Sequence, residues 1–454
     1  MRQRLHEQDK IERRNNFNAV EENLTPEQVK MEASRCLGCK NPRCVQGCPV
    51  NIKIPDFVKA LKEDNIEKAG NIIRETSMLP SVCGRICPQE RQCEGNCVLG
   101  IKGEALAIGA LERYVGDNTK ANIPEITPSG KKVAIVGSGC AGITAASDLR
   151  KAGHEVTVFE ALHKLGGVLR YGIPPFRLPR KLLDRELENL KNMGVKFEKN
   201  VVVGKSITLK QLKEDGYDAI FICSGAGLPK MMNIKGENLN GVFSANEFLT
   251  RVNLMNANST ESITPLKLGE NVAVIGGGNV AMDAARTAVR VGFKNVYIVY
   301  RRTENELPAR LEEIRHAKEE GVQFRFLMAP DEVLDKEGYV AGMKFERMEL
   351  GEPDSSGRRK PVGTGIFETL DVDTVIVALG TGPNPIIQNS ASDDGIEFEM
   401  DKKGYFVVNE ETRETSEPMI FAGGDVAPVG VSNAINAMGA GKKAAKAIND
   451  YLSK

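Results

Sequence analysis

Apolar positions along the 454-residue chain follow two different rhythms. Up to about residue 125 they recur at helical spacing. Thr25 and Gln28 bracket Pro26 as a capping box, which predicts a helix from there toward Cys36. Ile54, Phe57, Val58 and Leu61 share one face of a helix predicted over 55–63. Further helices are expected over 65–76 and 105–114. Segment 117–130, with Pro124, Pro128 and Gly130, reads as a linker. Beyond it the rhythm changes to short apolar runs, at 132–136, 155–159, 217–223, 271–275, 295–300 and 373–379, of which the first, third, fourth and sixth close on glycine. Such runs, alternating with helical stretches, predict buried parallel strands in an α/β fold. A last strand near 419–422 and a helix over 433–451 complete the pattern.

Two of these strands lead into glycine turns of the dinucleotide-binding kind. Strand 132–136 enters Gly137-Ser-Gly139-Cys-Ala141-Gly142, then a helix to about Lys151, then a strand that ends in Glu160. Glycines permit the tight turn and close backbone approach, the helix N-terminus faces a pyrophosphate, and the terminal acid suits ribose hydroxyls. Strand 271–275 enters Gly276-Gly-Gly278-Asn279-Val280-Ala281, then a helix through Val291, then a strand that ends in Arg301-Arg302. Arginine in place of the acid favours a 2′-phosphate, so the second unit reads as an NADP(H) site. Asn279 and Asp283 are candidates for contact with that cofactor or with the other domain. Gly167 and Arg170, in a Gly/Pro-rich loop ending at Pro179, are placed for a second approach to the first cofactor; an ordinary surface loop is the alternative. Runs 217–223 and 373–379 close on Gly225 and Gly380. Gly424-Asp425 follows the last strand, where the acid could bond a ribityl hydroxyl. The first domain is therefore expected to be discontinuous, 130–226 with 382–454, interrupted by an NADP(H) domain over 227–381.

The cysteines add redox chemistry. Eight of the 10 lie between Cys36 and Cys97, at 36, 39, 44, 48, 83, 87, 93 and 97. Thiolates at this density, in a chain whose start has no export signal, predict metal or cluster ligands rather than disulfides. Proline directly follows Cys48 and Cys87, as in ferredoxin cluster runs. All-cysteine zinc sites are the competing reading. Two dinucleotide units favour iron–sulfur clusters, because zinc moves no electrons. Cys140 and Cys223 read as packing residues.

Composition mostly excludes. Lys+Arg and Asp+Glu balance at 61 each, which gives no field for nucleic acid or an anionic membrane. No apolar run is long enough to span a bilayer, and a cytoplasmic address is expected. Four histidines, none beside a nucleophile, argue against hydrolysis, and no C-x4-C dithiol follows the first unit.

Taken together, G-S-G-x-A-G, G-G-G-N-V-A-x-D, Y-R-R and A-G-G-D resemble the two-dinucleotide flavoproteins of the glutathione- and adrenodoxin-reductase type. With V-C-G-R-I-C-P-Q-E-R-Q-C-E-G-N-C and A-I-G-A-L-E-R-Y in front, nearly the whole chain resembles the small (β) subunits of NADPH-dependent glutamate synthase. It is similar as well to the NADPH-binding large subunits of NADH-dependent ferredoxin:NADP oxidoreductase, and its first half to the N-terminal half of dihydropyrimidine dehydrogenase. The resemblance implies an all-α domain over 1–125 holding two [4Fe–4S] clusters, FAD in the first dinucleotide domain and NADP(H) in the second. It implies Cys36, Cys39, Cys44 and Cys97 as ligands of one cluster, and Cys48, Cys87, Cys93 and Glu112 of the other, with Cys83 left out. Hydride transfer then runs between cofactors, with no catalytic acid or base. The expected partner is a large glutamate-forming subunit or, alternatively, a small ferredoxin-reductase-like one; a homo-oligomer is the remaining option.

Overall fold

The computed structural model describes residues 1–259, 261–264, 266, 269–354 and 357–454. Two five-stranded parallel sheets dominate. The first has the order Ile420–Ala422, Ala219–Ile222, Lys132–Val136, Glu155–Glu160, Lys196–Lys199. The second has the order Val242–Ser244, Thr374–Val377, Asn271–Ile275, Asn295–Tyr300, Gln323–Phe326. In each, the strand before the glycine turn is central, and its residues after the first are buried because helices cover both faces. The first sheet borrows an edge strand from near the end of the chain. The two segments that cross between the sheets pair with each other, Leu228–Pro229 antiparallel to Thr381–Gly382.

The helical region contains Pro26–Ser34, Ile54–Lys62, Ile66–Arg74, Pro80–Ile86 and Ile108–Asn118. Thr25 and Gln28 do form the capping box. The last helix starts three residues later than expected and runs into the expected linker. Phe57, Val58, Ile73, Leu79, Leu111 and Val115 are fully buried, each worth about 1.5–3 kcal/mol. They do not form a core of their own. One continuous apolar cluster runs from Leu24 and Phe57 through Leu111 to Val133, Ile143 and Met438, so this region and the first sheet share a core.

Several elements lay outside the sequence reading. An antiparallel sheet, Met328–Lys336, Tyr339–Pro353 and Arg359–Leu370, packs Val340, Met343 and Phe345 onto the second sheet. Residues 6–22 form an arm whose ends bridge: the Gln8 N–H donates to Val20 O at 2.9 Å and the Glu22 N–H to His6 O at 2.8 Å. The arm lies against both dinucleotide units, with the Val20 N–H donating to Phe176 O and the Arg290 Nε to Asn16 O. Among the described residues, no helix is long and apolar enough to cross a membrane.

Candidate functional site

The two glycine turns are built alike. Gly137 has φ 115°, and a Cβ there would lie 2.6 Å from Cys223 O; Gly276 has φ 142°, and a Cβ there would lie 2.4 Å from Ala378 O. Each turn is thus pressed onto the end of the neighbouring strand, in a conformation only glycine adopts easily. Gly139, Gly225, Gly278 and Gly380 face open space, with no atom within 4 Å of a built Cβ. Both turns lead into helix N-termini, Cys140–Lys151 and Asn279–Val291, whose free N–H groups suit a pyrophosphate.

Around the first turn, Glu160 is buried and accepts from the Ser138 N–H at 3.1 Å, the Ser138 hydroxyl and the Leu162 N–H at 2.8 Å. Ser138 is a residue the sequence reading passed over. The Gly166–Pro179 segment, expected as a loop, holds the short helix Val168–Tyr171. Its Gly167 folds back so closely that a Cβ there would meet Gly139 Cα at 3.0 Å. Arg170 is buried and donates to Leu165 O and Asp184. Gly424 sits beside Ala141, and burial raises the Asp425 carboxyl above its ordinary range.

Around the second turn, Asn279 and Val280 are exposed, and Arg301 is the exposed cation at the strand end. Arg302 is buried instead, donating its Nε to Arg359 O at 2.7 Å and pairing with Asp354 at 2.6 Å. Asp283 faces the other dinucleotide unit: both its oxygens accept from Arg177, at 2.8 and 2.7 Å. Arg286 and Arg290 stack over the Phe176 ring at 4.7 and 3.9 Å.

The cysteines lie in an outer and an inner group. The Cys44 thiol is pushed up to about 11 by burial and by the charges of Cys97, Cys36 and Cys39, which places those four together. All four are half-buried, and this is the outer quartet. Cys48, Cys87 and Cys93 are buried, and each feels the Glu112 charge; with Glu112 they make the inner quartet. Glu112 is raised to about 8 by burial, and its Oε1 has no hydrogen-bond partner. A buried carboxylate oxygen without a partner is costly, and its chemistry fits a metal ligand. Cys83 lies beside this group: its thiol hydrogen-bonds Cys87 and its charge acts on Cys48, while its Sγ is also 3.5 Å from Met438 Sδ on the helix Ala434–Leu452. That helix packs on Cys140–Lys151 so tightly that a Cβ at Gly441 would lie 2.3 Å from Ala141 O. Cys140 and Cys223 are buried core residues.

Residues 13–123 match the family described as dihydropyrimidine dehydrogenase domain II, 4Fe-4S cluster. Residues 98–441 match the pyridine nucleotide-disulphide oxidoreductases. The chain is 36% identical to the glutamate synthase [NADPH] small chain of Escherichia coli, over 96% of this chain and 94% of that one. It is 39% identical to the NADP(+)-dependent formate dehydrogenase subunit beta of Moorella thermoacetica, over 90% of this chain and 60% of that one. Mycobacterium tuberculosis FprA in complex with NADPH shares the fold at 24% identity, with a TM-score of 0.57 over 71% of this chain and 85% of that one. The chain belongs to the pyridine nucleotide-disulphide oxidoreductases and, among them, to the family of the NADPH-dependent glutamate synthase small chains.

Proposed function

We propose that this chain is the NADPH-oxidising electron-input subunit of a glutamate synthase, with FAD on the first glycine turn, NADP(H) on the second and two [4Fe–4S] clusters in the quartets. The division follows: cluster domain 1–125, FAD domain 130–226 with 382–454, NADP(H) domain 227–381. When bound, the flavin exchanges hydride with the nicotinamide and passes single electrons on to the clusters. The chain's own part is to orient and to insulate. Gly137, Gly139, Ala141 and Gly142 let the backbone approach a pyrophosphate, while Gly167 and Gly225 border the same space. Glu160 receives ribose hydroxyls, and Gly424 and Asp425 face a ribityl chain. On the second turn Gly276, Gly278, Asn279 and Val280 carry the pyrophosphate, Gly380 borders it and Arg301 receives the 2′-phosphate. Arg302 holds the strand end in place through Asp354.

The observation that carries this reading is the seating of the inner quartet against the flavin unit. Cys83, on the helix Pro80–Ile86 and hydrogen-bonded to Cys87, touches Met438 Sδ at 3.5 Å, which joins the inner quartet to the helix packed behind the first glycine turn. Glu112 would hold the inner cluster through a hard carboxylate oxygen in place of a thiolate, and that change of donor would shift its potential. The test is anaerobic purification of the full chain. We expect one FAD, about eight irons, as two four-iron clusters require, and dye reduction by NADPH. A colourless chain loaded with zinc would end the proposal.

The electron acceptor is proposed as a large glutamate-forming subunit. A second reading, the NADPH-binding subunit of an NADH-dependent ferredoxin:NADP oxidoreductase, draws support from relatives named as subunits of other NADP-linked enzymes, in Moorella thermoacetica and Geobacter sulfurreducens. The chain that co-purifies decides between them.

A further inference from the structure

The second glycine turn and the inner quartet are joined by a hydrogen-bonded relay. On the nucleotide side, the Arg310 N–H donates to Asn279 Oδ1 at 2.9 Å, and the Ala309 N–H donates to Gly277 O at 3.3 Å. Segment 307–310 is therefore tied to the turn itself. On the other side, the guanidinium of the same Arg310 donates Nη1 to Arg85 O at 3.0 Å and Nη2 to Gln89 Oε1 at 3.0 Å. It also lies 3.5 Å from Glu90 and 3.2 Å from Glu312. Arg91 reaches back and donates to Pro308 O at 3.3 Å.

Gln89 continues the relay inward. It is buried, and its Nε2 donates to Cys83 O at 3.0 Å, the same carbonyl that accepts the Cys87 N–H at 3.2 Å. The Gln89 N–H in turn donates to Cys87 O at 2.9 Å. Its amide is seated against Gly109, where a Cβ would lie 2.7 Å from Nε2, on the helix that carries Glu112. One side chain thus touches the backbone around Cys87 and the helix of Glu112, and its outer end is held by the residue bonded to the nucleotide turn.

We propose that Arg310 and Gln89 are positioning residues that couple occupancy of the NADP(H) turn to the redox state of the inner cluster. This rests on assigning NADP(H) to that turn and a cluster to the inner quartet. The sign follows from charge. A nucleotide brings phosphates to one end of Arg310, while reduction brings an electron to the other. The two added negative charges stand at the two ends of one tether, the Arg310 backbone at the turn and its guanidinium at Gln89, and they repel, so each disfavours the other. Binding lowers the cluster's midpoint, and reduction weakens binding by the same factor, since coupling is reciprocal. We expect a factor of about ten, equivalent for one electron to about 59 mV.

The test uses the full holo-chain and 2′-phospho-ADP-ribose, which carries the phosphates but no reducible nicotinamide. Potentiometric titration is followed by the cluster EPR signal that changes in Glu112→Cys, and binding is measured by calorimetry on oxidised and reduced protein. In the wild type the midpoint should fall and binding to the reduced form should weaken, both by about tenfold. In Gln89→Leu the ligand should still bind, with the midpoint unmoved. Should that variant lose iron, Arg310→Lys, which keeps a cation but not the two-pronged grip, should show a reduced shift. Ligand binding to the wild type with no change in midpoint overturns the coupling. Absence of ligand binding overturns the nucleotide assignment and the coupling with it.

Discussion

The two dinucleotide units share strand order, glycine turn and helix, yet they are fastened by opposite physics. Behind the first turn, helix Cys140–Lys151 meets helix Ala434–Leu452 through small residues, with Gly441 against Ala141. Behind the second, helix Asn279–Val291 is sealed by charge. Arg286 pairs with Glu313 and with Glu320 at 2.8 Å, Arg290 pairs with Glu320 at 2.6 Å, and Arg13 of the arm reaches Glu320 at 3.1 Å. The first unit is part of the core shared with the helical region, whereas the second is docked onto it by ion pairs. Close apolar packing has no alternative partner in water, but buried ions hold only while every charge is matched. The strand ends differ in the same sense, a buried acid bonded within its own turn against an exposed arginine.

This contrast can be broken at the ion network most severely. Arg286→Ala takes one buried partner from both acids, leaving Glu313 with Arg177 and Glu320 with Arg290 and Arg13, and the holo-chain should lose about 3 kcal/mol in denaturant unfolding. A loss no larger than that of an exposed lysine variant would remove the contrast. Gly441→Val drives a side chain into Ala141 O; about 1–3 kcal/mol and weakened FAD retention are expected, read by unfolding and by flavin content after gel filtration. Arg301→Ala should cut the NADPH over NADH preference in kcat/KM by about tenfold, one lost charge-assisted contact, while Arg302→Ala should mainly lower Tm. The smallest effect is with acid. Against the opposing push of burial, Arg286 and Arg290 hold Glu320 at about 2, and Arg177 and Arg286 hold Glu313 at about 2. Carboxyls depressed in the folded state stabilise it above their unfolded value of 4.5, and that contribution fades as pH falls from there toward 2. Thermal unfolding of Glu320→Gln should show a flatter dependence across that window.

Much of this was legible from residue order. Strands Lys132–Val136 and Asn271–Ile275 match the expected runs, because a buried parallel strand needs an unbroken apolar stretch and its glycine turn marks the end. Thr25 and Asn433 act as helix caps at the expected starts. The antiparallel sheet escaped because its strands are half exposed and mix charge with apolar residues. The grouping of thiols came from family resemblance, since spacing alone offers two sets of four cysteines. The Arg13–Glu320 pair joins residues 307 positions apart, which no local pattern records. Arg302 looked equivalent to Arg301, and only the neighbouring Asp354 distinguishes their tasks.

The borrowed edge strand has a consequence for how the molecule comes into being. Ile420–Ala422 pairs with Ala219–Ile222 across nearly the whole intervening chain. On a ribosome adding about 5–20 residues per second, the first glycine turn therefore emerges roughly 14–56 s before the strand that completes its sheet. The second sheet, whose five strands lie between 242 and 377, is finished inside that interval. Flavin loading is set late, after the nucleotide domain has formed, and a messenger truncated before residue 420 should yield a chain that binds NADPH but carries no flavin.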